Sequence, residues 1–590
     1  MSATSLDSRA RDATQTQSSI VTWSEVRDGM RVDWDAAIAM DDGVVLRCDV
    51  FRPERDGRYA VLLSAGPYAK GLAFQERAPY AWDTLVSKHP EVTAGSSCKY
   101  ANWEVVDPEQ WVSDGYAVVR VDVRGTGHSP GYVDPWSARA TRDLYECIEW
   151  AAERPWSNGK VGLNGISYFA MDAWQVASLQ PPHLAAICAW EGGADFYRDV
   201  THHGGIFCEF LTNWYPRAVI AVQYGTGERG ARSRVTGDVV AGPPTLPEET
   251  LAKNRCDLVG DAFAHPLADA YHAERSPVWE SITVPMLSAA NWGGQGIHPR
   301  GNFEGFVRAA SKQKWLEAHG DAHWMSFYSG YGLALQKRFF GHFLKGEDTG
   351  WERQPTVQLN IWHPGEAEWP LARTQWTKFY LHPDLNLGRE PPDGDATISY
   401  AAMSDGLQFT TAPVQQELEI TGPVAAKLFI SSSTTDADLF LVLRVFAPDG
   451  NEVVFQGAQD PHTPVGQGWL RASHRKLDPA LTLSYRPYHT HDEPWPLVPG
   501  TPAELDIEIW PTCIVVPAGY RFALAVRGKD YVYEGGPAEL SGVKHSLTGV
   551  GPFLHTDPRD RPPTVFGGTN TLHFSRGQRP YLLLPVTPRK

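Results

Sequence analysis

Polar and apolar residues alternate along Ala36–Met40 and again along Val44–Phe51, with Asp41-Asp42-Gly43 between them. This period-two pattern predicts two strands that each bury one face, joined by a hairpin turn. From Tyr59 onward the pattern shifts to short continuous apolar runs at Tyr59–Ser64, Tyr116–Val123, Val161–Asn164, Leu184–Trp190 and Val284–Ala290. Such runs predict strands buried on both faces. A further short strand is predicted at Lys314–Glu317. Helical spacing separates them at Thr141–Glu153 (Leu144, Ile148 and Ala151 on one face), Met171–Leu179, Asn302–Ser311 and Leu333–Leu344. Strands and helices alternating in this way predict a mostly parallel α/β sheet with right-handed crossovers.

Two stretches break the alternation. Residues 71–110 form a long irregular insertion rich in Trp, Tyr and Pro, which points to a pocket wall. From Phe196 to Pro277 helical and irregular pieces replace strands, which predicts an inserted helical cap. Beyond Gly350 strand-like segments follow one another between Gly, Pro and Asp turns: Val357–Trp362, Thr377–Leu381, Leu418–Ile430, Leu439–Phe446, Leu505–Trp510 and Tyr520–Arg527. They predict an all-β domain, a two-sheet jelly roll. The expected organisation is a flexible tail over 1–24, an α/β domain in two parts (25–195 and 278–350) around a cap at 196–277, and the β domain at 351–590.

Composition narrows the function. A length of 590 residues holds two to four domains, and a net charge of -16 argues against nucleic acid or an anionic membrane as partner. Seven scattered Cys include no Cys-x-x-Cys pair, which fits reduced thiols in the cytoplasm rather than a zinc site or a disulfide framework. The polar start of the chain is no signal peptide, and no apolar run is long enough to span a membrane. The 22 Trp suit broad apolar pockets as well as core filling.

The candidate chemistry centres on Val161-Gly162-Leu163-Asn164-Gly165-Ile166-Ser167, a strand leading into Gly-x-Ser ahead of a helix. In that context a serine is held on a sharp turn above the sheet, and the helix N-terminus behind it favours developing negative charge. The usual elbow ends in a second glycine, where this chain has Phe169, so an ordinary turn serine is the competing reading.

The chain resembles the cocaine esterase and X-Pro dipeptidyl-peptidase (CocE/NonD) family of α/β-hydrolases. The matching stretches are Asp42-Gly43-Val44-Val45-Leu46 with Arg52-Pro53, Gly66-Pro67-Tyr68, Asp122-Val123-Arg124-Gly125-Thr126-Gly127-His128-Ser129, Gly165-Ile166-Ser167-Tyr168, Ala194-Asp195-Phe196-Tyr197-Arg198, Thr421-Gly422-Pro423 and Arg471-Ala472-Ser473-His474-Arg475. The resemblance implies an α/β-hydrolase domain with a helical cap and a C-terminal jelly roll. It makes Ser167 the nucleophile, and the Tyr168 N–H and the Tyr68 phenol the oxyanion donors. His323, in Gly320-Asp321-Ala322-His323-Trp324, becomes the general base, with His319 as its nearest rival.

Three departures stand out: Ala170 where the family has glycine, the length of 71–110, and the missing acid. The family's aspartate belongs after the strand 284–290, where this chain reads Asn291-Trp292-Gly293-Gly294-Gln295-Gly296-Ile297-His298 and carries no carboxylate. We expect the acid to have moved to Glu191, at the end of the preceding strand, with Gly192-Gly193 letting the backbone turn beside it. Glu304 or another carboxylate, or no acid at all, are the alternatives. Trp190, Trp214, Trp292 and Trp324 are candidate pocket walls. His202-His203 suggest no metal, because helical neighbours point about 100° apart and no carboxylate or Cys stands at ligand spacing. No metal or cofactor is implied.

The expected function is hydrolysis of a small, bulky and apolar ester or amide through an acyl-enzyme, with esters favoured over X-Pro peptides. The alternatives are an acyltransferase, an X-Pro or α-amino-acyl peptidase, and a degenerate hydrolase kept as a binding protein. Homo-oligomerisation is left open.

Overall fold

The computed structural model describes residues 20–360, 363–457, 460–538 and 547–588. Residues 1–19 of the expected tail, and residues 361–362 at the end of one expected strand, lie outside them.

Among the described residues the first sheet has eleven strands. These are β1 (Trp23–Arg27), β2 (Met30–Ala39), β3 (Val45–Pro53), β4 (Tyr59–Gly66), β5 (Tyr116–Asp122), β6 (Ser157–Ile166), β7 (Leu184–Trp190), β8 (Met286–Asn291), β9 (Lys314–His319), β10 (Val357–Leu359) and β11 (His363–Glu366). Their spatial order is β1-β2-β3-β5-β4-β6-β7-β8-β9-β10-β11. Neighbours from β5 to β10 are parallel, and the pairs at both edges are antiparallel. The continuous apolar runs are explained by burial on two sides. Ala60, Leu62, Tyr116 and Val118 enter one core, while Val61, Leu63, Ala117 and Val119 enter the other.

Helix α1 (Ala138–Ala152) is capped by Ser137, whose Oγ accepts the Ala140 N–H, and it buries Leu144, Ile148 and Ala151 as their spacing predicts. Helices α2 (Tyr168–Ala177), α3 (Pro299–Arg308) and α4 (Gly330–Phe340) follow β6, β8 and β9. The cap consists of short pieces, among them Phe196–Thr201, Phe210–Trp214, Glu248–Lys253 and Leu258–Ala264. Its core joins Phe196, Phe207 and Leu211 to Tyr68, Trp136 and Tyr168, so the cap closes directly over the residues beside Ser167.

The C-terminal domain is a sandwich of two antiparallel sheets around one core, of the jelly-roll class. One is built on the long pair Leu418–Ser432 and Ala503–Val516, the other on Asp438–Phe446 and Arg521–Arg527. Two boundaries are corrected. Val357–Leu359 and His363–Glu366, placed in the β domain by their sequence, extend the first sheet instead, because β10 pairs with β9. Trp23 and Ser24, placed in the tail, pair with Trp34 and Asp33. All seven Cys are free and buried. Among the described residues no helix is long and apolar enough to cross a membrane.

The turn between β6 and α2 holds Ser167 at φ 57° and ψ -111°, a conformation that L residues rarely adopt and that marks a strained elbow. Phe169 replaces the usual last glycine because glycines elsewhere make room for it. A Cβ on Gly165 would stand 2.5 Å from the Phe169 Cβ, and one on Gly66 2.4 Å from its ring. Ala170 is accommodated in the same way, since a Cβ on Gly192 would come within 2.5 Å of its methyl. Gly66→Ala is therefore expected to cost about 1–3 kcal/mol, read as a lower urea midpoint. Phe169→Ala should recover most of that loss in the double variant, and two additive losses would show that the ring and the glycine do not share the space.

Candidate active site

The side chains of the site gather at the carboxyl ends of the parallel strands, where open α/β sheets place their ligands. Ser167 follows β6, Tyr68 follows β4, Glu191 follows β7, His298 lies in the loop after β8, and His319 and His323 end and follow β9. Ser167 is half-buried, while Glu191, His298, His319 and His323 are buried.

The Ser167 hydroxyl lies 3.1 Å from Nε2 of His298. Burial first, and then the neighbouring His323, push the His298 pKa well below the ordinary 6.5, so the ring is neutral and the serine O–H donates to it. This corrects the expectation that His323 meets the serine. His298 reaches it because the glycine-rich loop before it is pressed flat on the C-terminal domain. A Cβ on Gly293 would stand 2.6 Å from the Gln456 carbonyl, and one on Gly296 (φ 105°) 2.5 Å from the Phe553 ring. Gln295 Nε2 adds a bond to the Pro511 carbonyl at 3.2 Å. Helix α3 behind it is gripped by the same domain through Arg300–Glu508 (3.1 Å) and Glu304–Arg486. Glu304, the alternative acid, thus faces away from the serine.

Glu191 accepts from His323 Nδ1 and from His319 Nε2, both at 3.0 Å. His323 Nε2 donates to Glu104 Oε1 at 2.9 Å, and His319 Nδ1 to Glu317 Oε2 at 2.7 Å. The structure therefore brings Glu191 against His323 as the displaced-acid idea requires, yet spends the other His323 nitrogen on Glu104 rather than on Ser167. The His323 ring stacks on that of His298, with centroids 4.7 Å apart and planes 5° from parallel. Burial disfavours charge on His323 and His319, but the facing carboxylates outweigh it and hold both at about 10. Burial would likewise raise Glu191, but the two imidazolium charges bring it down to about 2. Glu191 itself takes the left-handed backbone (φ 46°) expected of the glycines beside it. Those glycines serve close packing, since a Cβ on Gly193 would come within 2.7 Å of the Ile297 carbonyl.

The Tyr168 N–H opens α2 and so has no intrahelical acceptor. Tyr68 packs edge-on against Tyr168 and Phe169 at 6.1 and 5.8 Å, and its oxygen accepts from Trp214 Nε1 at 3.2 Å. Burial, and then the charge of Glu104, push its phenol well above the usual range, so it keeps the proton that an oxyanion donor needs. Of the candidate walls, half-buried Trp214 and buried Trp324 stand at the site, the latter 5.7 Å from half-buried Trp103, which flanks His323. Trp190 and Trp292 do not. Trp190 is fully buried behind His319, and Trp292 packs on Phe303 and Trp369.

Two trios, Glu191–His298–His323 and His203–Cys208–His555, bring metal-ligand atoms within 4.8 Å of one another. The second corrects the reading of His202-His203 as helical neighbours without a nearby Cys. They lie in a short extended hairpin with Ile206–Phe207. Hydrogen bonds already engage the trio's two histidines, His203 with His555 at 2.9 Å and His555 with Asp530 at 2.8 Å.

The buried network sets a pH dependence. Two imidazoles raised from 6.5 to about 10 contribute stability that is complete below pH 6.5 and is lost as pH rises through about 10. Glu191, lowered from 4.5 to about 2, contributes stability present above pH 4.5 and lost as pH falls through about 2. Melting temperature should therefore fall between pH 7 and 10. Glu191→Gln should cost about 3–5 kcal/mol of stability at pH 6 and flatten the alkaline decline. Parallel melting curves for the two proteins across that range would rule the network out as its source.

Residues 42–324 match the family model of the X-Pro dipeptidyl-peptidase (S15 family), and residues 349–582 that of the X-Pro dipeptidyl-peptidase C-terminal non-catalytic domain. Cocaine esterase of Rhodococcus sp. is 25% identical over 511 residues, covering 70% of this chain and 80% of that protein. The crystal structure of a CocE/NonD family hydrolase from Staphylococcus aureus aligns at TM-score 0.81 and 29% identity, over 97% of this chain and 98% of that one. An aminopeptidase from a marine sediment Thaumarchaeota archaeon shares the fold at TM-score 0.65 and 17% identity, over 96% of each chain. With an elbow serine at the strand ends and both matched segments in the same order, this chain belongs to the CocE/NonD, X-Pro dipeptidyl-peptidase-like family of serine α/β-hydrolases.

Proposed function

We propose that this chain hydrolyses carboxylic esters through an acyl-enzyme on Ser167, with His298 as the general base. The observation that carries this reading is the 3.1 Å contact between the strained elbow hydroxyl and a neutral, buried imidazole. A base already protonated at neutral pH cannot accept the serine proton, which argues against His323 in this arrangement.

In the first step Ser167 Oγ attacks the carbonyl carbon and its proton passes to His298 Nε2. The Tyr168 N–H and Tyr68 O–H hold the oxyanion. His298 then returns the proton to the leaving oxygen, and the acyl-enzyme remains. A water, deprotonated by the same imidazole, releases the acid. Glu191 and Glu104 position His323, whose ring supports the face of His298. The Glu191 carboxylate favours a transient imidazolium at His298, while burial and the His323 charge oppose it more strongly and keep the resting base neutral. The aromatic side chains at the site, Trp103, Phe169 and Trp214, suit an apolar substrate body.

A second reading rests on Glu104 Oε2, which is buried and has no partner among the described residues. It favours an amine next to the carbonyl, as in an α-amino-acyl ester or an X-Pro peptide. Faster turnover of an X-Pro p-nitroanilide than of a p-nitrophenyl ester would put that reading first.

The decisive experiment is p-nitrophenyl butyrate hydrolysis with fluorophosphonate labelling. Ser167→Ala should lose about 10⁴-fold or more in kcat and all labelling. His298→Gln should lose about 10²–10⁴-fold, and His323→Gln less. The reverse order would make His323 the base, and an unlabelled wild type would leave a binding protein. Because the His298 pKa is depressed, the acid limb of kcat/KM should lie below pH 6.5; a limb above that value would point to a different base.

A further inference from the structure

An arginine stands beside the site and, among the described residues, forms no ion pair with a carboxylate; Glu104 acts on it only at longer range. Arg77 closes the short helix Phe74–Arg77 of the 71–110 insertion, is half-buried, and lays its guanidinium 4.3 Å from the centroid of the Tyr68 ring. Among the described residues no hydrogen bond or ion pair reaches it. The preceding Glu76 turns instead to Arg234 at 3.7 Å. Elsewhere buried guanidinium groups are matched: Arg300 by Asp199 and Glu508, Arg471 by Asp438 and Asp560, and Arg120 by two carbonyls. In a chain with 69 acidic and 53 basic residues, an unmatched half-buried cation runs against the overall balance. Removing such a charge from water is unfavourable, and the Tyr68 ring face offsets only part of that.

A second cation lies nearby. Arg217, exposed, lies on the segment Tyr215–Val219, just past the Trp214 that donates to the Tyr68 oxygen. Burial lowers the Arg77 pKa; Tyr68 and the Glu104 carboxylate oppose that, and the charge of Arg217 adds to it. Two guanidinium groups thus come from the two segments that frame Tyr68. That ring in turn touches Tyr168 and Phe169, the residues that follow Ser167.

We propose that Arg77, with Arg217 at the mouth, binds a carboxylate on the substrate, so that the preferred substrate is an ester carrying a free acid. Arg77 supplies the planar two-donor face that carboxylates fit. Tyr68 lies between that anion and the scissile carbonyl, so one ring both carries the cation and serves the oxyanion. This inference rests on the hydrolase reading above.

The test compares p-nitrophenyl butyrate with mono-p-nitrophenyl succinate, glutarate and adipate, and with 4-carboxyphenyl butyrate, which carries the acid on the leaving side. Wild type should favour one carboxylate-bearing set by about 10- to 100-fold in kcat/KM, mainly through KM, and the set favoured identifies the side of the scissile bond that faces Arg77. Arg77→Met should collapse the ratio of acidic to neutral ester toward one, Arg77→Lys should restore part of it, and Arg217→Gln should reduce it less. Turnover of butyrate with no carboxylate preference, or a ratio unmoved by Arg77→Met, would overturn this inference alone. No turnover of any ester together with no serine labelling would instead overturn the hydrolase reading, and this one with it.

Discussion

A carboxylate taken wholly out of water must be matched by charge, and Glu191 is matched twice. His319 and His323 each bring it a proton, and each then needs a second acceptor, which Glu317 and Glu104 supply. The result is a linear chain of five buried groups, Glu317–His319–Glu191–His323–Glu104, joining the end of β7, the end of β9 and the insertion at 71–110. No member can be removed without leaving another uncompensated, which is why such networks fix geometry even where their net stabilisation is small. Three residues of the site, Glu104, Ser167 and Glu191, hold a left-handed backbone that costs of order 1–3 kcal/mol each. Asp321, in the loop that carries His323, holds a fourth, and Asn291 Nδ2 ties that loop to β8 by donating to the Asp321 carbonyl at 2.7 Å.

Much of this was readable from the chain. Apolar runs without alternation mark strands covered on both sides, and the parallel centre of the sheet has that composition. The strand–turn–helix setting marked Ser167 as a candidate even with Phe169 in place of glycine, and the family resemblance singled it out from an ordinary turn serine. The compensating glycines at 66 and 165 are far from each other in sequence and meet only through the Phe169 ring. The contact of Glu191 with His323 was anticipated only through the resemblance, whose missing acid after one strand directs attention to the adjacent strand end.

What escaped the sequence did so for identifiable reasons. His298 sits in a glycine-rich loop with no periodicity, and nothing in its neighbours says that the loop is held flat from outside. Glu104 lies in an irregular insertion whose aromatic content suggests a wall, so its carboxylate carried no signal of its own. Trp190 and Trp292 show the opposite limit. Composition makes a Trp near a strand end equally suited to a pocket or a core, and only the packing of Phe303, Trp369 and His319 around them decides for the core.

The loop of His298 also changes how the C-terminal domain is to be viewed. Its backbone at Gln456–Gly457 and the ring of Phe553 form the surface on which Gly293 and Gly296 rest. The position of that imidazole is therefore a cast taken from another domain rather than a property of the sheet that carries it. A change in a jelly-roll hairpin, remote in sequence from every reactive group, would be copied into the angle at which the ring meets the serine. The two domains then diverge under a shared constraint. Each is free to vary its exterior, but the surface where mould and cast touch has to change on both sides at once.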